Sequence, residues 1–309
     1  MPKLREILNF FNYNKEKKDL LNAKERQHEF NTSKDNINKK IYDVLSVNLE
    51  YIKKVYNVPV NEGIEIREFE LNINGKQYRS FFVFIEEVVN LEYINNFIIT
   101  PLLNNKENNQ SIVSTVVTDN ISVKKMKKFD LEKHILKLLI PQNSIKQQND
   151  FLQIIGDINS GKCILFVETL QTAFSISIMN FNVNIEELIQ NQIKRRRVFV
   201  KNLNSNKATI RKIVNNEKLI IENLIIGNII KTKCSIIYIK EIEEEKIERI
   251  KTKINNLDVD YLINGKQLKQ LLKDKELRLS KKVDDVIRFL LKGGVVIFVN
   301  DDFYVLKIY

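Results

Sequence analysis

The chain has 309 residues, 43% of them hydrophobic, with 8 glycines, 4 prolines and a net charge of +11. That apolar share excludes a disordered chain, and the scarcity of glycine and proline excludes long flexible linkers. The length suggests two domains, at roughly 100–200 residues each. A positive balance raises an anionic partner, nucleic acid or a lipid face, but Lys and Glu are interspersed along most of the chain, and an electrostatic footprint needs clustering.

Residues 1–40 read as a polar, basic lead-in whose start, Leu4, Ile7, Leu8, Phe10 and Phe11, is briefly amphipathic. This start lacks the apolar stretch and small-residue cleavage site of a secretory signal. No window approaches the ~18–20 apolar residues of a membrane span. A soluble, cytoplasmic chain is therefore expected.

A first α/β subdomain is expected over 41–143. Apolar residues at helical spacing predict a helix from Ile41 to Tyr56, closed by Pro59. Ile64–Asn72 alternates and Tyr78–Ile85 returns as its partner across Asn74-Gly75, a pair that tolerates positive φ and suits a tight hairpin. Leu91–Leu103 reads as a helix ending near Pro101, Ile112–Val117 and Ile121–Met126 as strands, and Asp130 as the cap of a helix reaching Leu139.

The second subdomain is expected over 144–309. It opens with a helix from Ile145 to Ile155 that stops at Gly156, followed by strands at Cys163–Val167 and Ala173–Met179. Helical patterns recur at Ile185–Ile193 and Ser205–Val214. Leu219–Ile226 and Thr232–Ile239 read as strands parted by Gly227. Helices follow at Glu243–Ile254, Leu268–Leu272 and Val283–Leu291. A closing hairpin runs from Val295 to Ile308 around Asn300-Asp301-Asp302. Alternating strands and helices give an α/β (α+β) class, each subdomain a small mixed sheet covered by helices.

The residues offer little chemistry. His28 and His134 stand alone, without ligands at metal spacing, so neither a metal nor a cofactor is expected. Cys163 and Cys234 lie in apolar runs and read as buried structural thiols. Asp157–Lys162 (DINSGK) ends like a phosphate loop, yet it lacks the first glycine and precedes a strand. Glu86-Glu87 and Asp301-Asp302 read as solvated turn acids. Lys194-Arg195-Arg196-Arg197 is the strongest charge cluster, but it carries no ladder of stacking aromatics, and nucleic acid is not expected.

Several stretches, taken in order, resemble the A subunits of GerA-type nutrient germinant receptors of bacterial spores. They are Leu45–Tyr56 with Ile66–Phe69, YINNFIITPLL ending at Leu103, Gly156-Asp157 with Cys163–Val167, and SNKATIRKIVNNEKL from Ser205. Ile226-Gly227 with Lys231-Thr232, Leu257–Asp260, and GGVVIFVNDDFYVL from Gly293 continue the series. The family's GPREGF loop falls at Lys194–Phe199, where only Phe199 and the basic character remain. Its TERPD segment is reduced to Ser280–Asp284, and its Gly and Pro are missing from the Asn300–Asp302 turn.

The resemblance implies a non-catalytic role in nutrient-triggered germination signalling, exerted by assembly or coupling. It implies partners too: a transporter-like B subunit, a lipoprotein C subunit, a second copy of the chain, and a membrane reached through a C-terminal part that is missing here. The implied location is the cytoplasmic face of the inner spore membrane. The expected interaction surface comprises Lys194, Arg195, Arg196 and Arg197, then Asn206 with Arg211, then Asn300, Asp301 and Asp302. The rival expectation is a small-molecule-binding module with its cleft between the two subdomains.

Overall fold

A computed structural model describes residues 40–103, 130–139, 145–177, 198–242, 244–274 and 276–308. The readings on the lead-in, on 112–126, on the helix at 185–193 and on the basic run 194–197 lie outside the described residues. Lys40–Tyr309 forms one compact unit built on two five-stranded sheets.

The first sheet has the order β1-β2-β4-β5-β3, with β1 Ile64–Ile73, β2 Lys76–Ile85, β3 Ile145–Gln148, β4 Cys163–Val167 and β5 Ala173–Ile176. Its hairpin turns at Asn74 (φ 50°) and Gly75 (φ 70°), as the Asn-Gly pair predicts. Along β2 the residues alternate between two cores. Phe81, Val83 and Ile85 face helices α1 (Leu45–Tyr56) and α5 (Phe151–Asn159). Phe82 and Phe84 face α2 (Leu91–Ile94), α3 (Thr100–Leu103) and α4 (Leu131–Leu138). Both faces are thus covered, which explains a strand with six consecutive buried residues, Ser80–Ile85.

Asn95–Ile99 links α2 to α3 as a single π turn. Pro101 has no N–H to return to the Phe97 carbonyl, and just before it the Asn95 carbonyl accepts from both the Thr100 N–H and Thr100 Oγ1, the latter at 2.7 Å.

The second sheet has the order β6-β7-β9-β10-β8, with β6 Leu219–Ile226, β7 Thr232–Ile239, β8 Arg278–Ser280, β9 Val295–Val299 and β10 Val305–Ile308. Helices α6 (Leu203–Val214) and α9 (Val283–Leu290) pack on Leu219, Ile221, Ile237 and Phe298. Helices α7 (Glu244–Asn255) and α8 (Gly265–Leu272) pack on Ile236, Ile297 and Leu306 from the other side. Among the described residues, no helix is long and apolar enough to cross a membrane.

Two helix-covered α/β sheets stand as expected, but three details differ. Among the described residues every strand pair is antiparallel, where mixed sheets were expected. The division expected at 143/144 falls inside the first sheet, because β3, β4 and β5 complete it by hydrogen bonding to β2 and to one another. The helix expected from Ile145 begins at Phe151, where Asp150 accepts from the Leu152 N–H. Ile145–Gln148 is instead an edge strand, and Gly156 lies inside the helix rather than after it.

Candidate functional site

Where the two sheets meet, charge is buried. The 3-10 turn Glu86–Val88 follows β2 and lies against α6. Lys207 and Arg211 stand four residues apart on α6, so they share one helical face. Lys207 Nζ lies 3.2 Å from Glu87 Oε1, and Arg211 Nε lies 3.2 Å from Glu87 Oε2. All three side chains are almost fully excluded from solvent. Burial pulls the Arg211 guanidinium below its ordinary pKa, and the charge of Glu87 and its hydrogen bond partly offset that pull.

The remaining Arg211 donors reach back across the junction. Arg211 Nη2 donates to Asn61 Oδ1 at 3.1 Å and to the Glu62 carbonyl. Asn61 in turn occupies the free edge of β6. Its Nδ2 donates to the Leu219 carbonyl at 3.0 Å, and its Oδ1 accepts from the Ile221 N–H at 3.0 Å. One residue on, the Glu62 N–H donates to the Ile221 carbonyl at 2.8 Å. A loop from the first half therefore pairs with the second sheet as a short added strand would.

Gly63 makes the arrangement possible. Its φ is +78°, and a Cβ there would lie 2.1 Å from Glu87 Oε2. On the flank, Tyr56 OH donates to Asn159 Oδ1 at 3.0 Å, and Asn159 Nδ2 donates to Glu217 Oε2 at 3.4 Å. Burial raises the Tyr56 hydroxyl well above its ordinary pKa, with Glu217 adding to the effect, so it stays a neutral donor.

The expected site residues scatter. Asn206 is buried, not on the surface, and fixes the chain entering α6: its Oδ1 accepts from the Val200 N–H at 3.0 Å and its Nδ2 donates to the Val200 carbonyl at 2.7 Å. Arg211 is buried as well, because its partner Glu87 lies inside the chain. Asp301 is exposed with φ 58°, and Asn300 is partly exposed beside it. Asp302 is buried; Oδ2 accepts from the Gly265 N–H at 2.7 Å and Oδ1 from the Tyr304 N–H at 3.0 Å. Neither Glu87 nor Asp302 is the solvated turn acid expected.

The DINSGK segment is a local clasp. Asp157 accepts from Lys162 Nζ at 2.5 Å, from Ser175 Oγ at 2.6 Å and from Gln148 Nε2 at 3.1 Å. Burial raises its carboxyl pKa, but these donors outweigh burial and hold it below the ordinary value. Both thiols are buried, and burial pushes Cys234 up to about 12 and Cys163 higher still. Among the described residues, no group of three or more His, Cys, Asp or Glu is placed to hold a metal ion.

Glu87 is the residue that sequence reasoning missed. Its partners lie 120 and 124 positions away. The available signal was α6 itself: LNSNKATIRKIV presents two same-face cations and contains no acid of its own to balance them.

The chain resembles known proteins along most of its length. Residues 50–308 match the family described as Bacillus/Clostridium GerA spore germination protein. Spore germination protein KA of Bacillus subtilis (strain 168) is 22% identical over 218 residues, which are 67% of this chain and 39% of the relative. Spore germination protein A1 of the same strain is 23% identical over 164 residues, 50% and 34% of the two chains. Spore germination protein GerLA of Bacillus cereus is 23% identical over 176 residues, 54% and 36%. The chain thus spans less than two fifths of the length of each of these relatives. In fold it is similar to the N-terminal domain of the A subunit of the Bacillus megaterium spore germinant receptor GerK3. That match has a TM-score of 0.63 at 20% identity and covers 87% of this chain and 95% of the other.

Proposed function

The chain belongs to the GerA family of spore germination proteins, and from that premise we propose that it serves nutrient-triggered germination as a non-catalytic coupling domain of a receptor A subunit. On this reading it works at the cytoplasmic face of the inner spore membrane, against a transporter-like B subunit and a lipoprotein C subunit. The junction supports the reading. A displacement of one sheet alone would pull Glu87 away from Lys207 and Arg211, and separating a buried charge from its partners carries a large desolvation cost. Such a joint carries motion between the sheets as one body.

The test is a spore whose only copy of the chain carries Glu87→Gln, compared with Leu152→Ser on an exposed helix face. The expected result is a nutrient response slowed at least tenfold in E87Q spores that contain normal amounts of the protein. A wild-type response at wild-type abundance overturns the proposal. Assembly is tested separately by light scattering over a concentration series. A self-associating chain should become monomeric when Lys194–Arg197 are changed to Ser.

A further inference from the structure

We propose that the end of the second sheet formed by the β6–β7 turn and residues 258–263 is a lipid-contacting surface that rests on an anionic bilayer. The four most exposed large apolar side chains among the described residues are Ile229 (75%), Ile225 (65%), Ile230 (61%) and Ile263 (59%). All four belong to this end, and Tyr261 stands with them, about half exposed. The other exposed apolar residues are scattered over α1, α3, α5 and the turns, as is ordinary for a protein surface.

Two observations select lipid as the occupant, and a third sets the balance of forces. The first is the backbone. The Asn228 N–H donates to the Val259 carbonyl at 2.7 Å, and the Ile229 and Ile230 N–H groups donate to the Asp260 carbonyl at 3.0 and 2.9 Å. Thr232 Oγ1 donates to the Leu262 carbonyl at 2.9 Å. Ile229 and Ile230 thus stand on a turn in which their own N–H groups and that of Asn228 are already satisfied. Insertion into an apolar phase requires that, whereas a peptide-docking loop leaves donors free.

The second observation is the rim. Lys231 and Lys233 flank the turn and are exposed. Lys266 is exposed too, its Nζ 5.0 Å from the Tyr304 ring centroid. Lysine beside aliphatic and tyrosine side chains suits a headgroup layer, where the stems lie along apolar surface and the ammonium groups meet lipid phosphates. Protein interfaces are depleted in lysine and favour arginine, methionine and aromatic residues; of these the patch holds only Tyr261, whose amphipathic ring also suits a headgroup layer.

The third is the acidic residues. Asp258 and Asp260 lie in the same loop, and Asp258 accepts from Asn228 Nδ2 at 2.8 Å. They temper the local positive charge, so the isoleucines supply most of the binding and the lysines supply its preference for anionic lipid. The proposal does not depend on the buried junction, and E87Q leaves it untouched.

The full 309-residue chain is to be sedimented with vesicles of phosphatidylcholine alone and with vesicles containing one third phosphatidylglycerol. Wild type should partition measurably onto the anionic vesicles. The Ile229→Ser, Ile230→Ser double variant should lose at least tenfold of that partitioning. The Lys231→Ser, Lys233→Ser variant should lose the anionic preference. Val47→Ser with Leu152→Ser, which changes exposed apolar residues elsewhere, should bind as wild type does. All the substituted side chains are exposed, and circular dichroism checks that each variant is folded. Equal vesicle binding by wild type and the isoleucine variant overturns the proposal, as does no vesicle binding at all. A chain that ignores lipid but self-associates until Ile229 and Ile230 are changed overturns it too, and assigns the patch to a second copy.

Discussion

Glu87 shows how much one side chain is asked to do. Two cations sit within 3.2 Å of its carboxylate, with water excluded. Removing it leaves both cations buried and uncompensated. Glu87→Ala should therefore lower the unfolding free energy by about 3–5 kcal/mol, read by urea denaturation. Replacing Glu87, Lys207 and Arg211 together with Met removes the charges along with their desolvation cost, and this triple variant should be more stable than E87A. Gly63→Ala should be costly in the same measurement, because it meets both a disfavoured φ and the Glu87 carboxylate. Asp157 answers to pH. Its folded pKa lies below the ordinary carboxyl value, so its contribution is present above about pH 4 and is lost as pH falls through the folded value. Asp157→Asn should lower stability at neutral pH and flatten the acid limb of a stability–pH profile, while leaving stability at the acid extreme nearly unchanged.

At the scale of elements, the closing turn separates two adjacent acids. Asp302 satisfies the first N–H of α8 and the Tyr304 N–H from a buried position, so Asp302→Ala should cost about 1–2 kcal/mol. Asp301 is exposed at positive φ, so Asp301→Gly should be neutral or slightly stabilising in thermal unfolding. Most elements were legible because alternation and helical spacing are local. The Asn74-Gly75 hairpin, α6, β7 and the β9–β10 pair follow directly from the pattern. What failed was local evidence too thin to decide. Ile145–Gln148 holds one apolar residue and was absorbed into the helix after it; Arg278–Ser280 is three residues long and went unread. Both are edge strands, held by a neighbour's hydrogen bonds rather than by their own apolar pattern. The same limit hid the junction. Neighbouring acids such as Glu86 and Glu87 look alike in sequence, and only the fold decides which of them meets α6.

For the molecule as a whole, a junction built from a buried ion triad and a borrowed strand edge should make the two sheets unfold together. Calorimetry on the wild-type chain should give one transition, with calorimetric and van't Hoff enthalpies in agreement. E87A should broaden or split it, because the triad is the main charged tie between the halves.

The loop at Asn61 has one more consequence. β6 is the outer strand of its sheet, and Asn61 and Glu62 occupy hydrogen-bonding positions along it. A fragment carrying only the second half would expose that rim as a template for another chain's backbone, with the apolar residues of β6 behind it. Asn61 therefore acts as a gatekeeper against aggregation as well as a joint. Turbidity on warming should rise sooner for Asn61→Ala than for a surface variant of equal thermal stability.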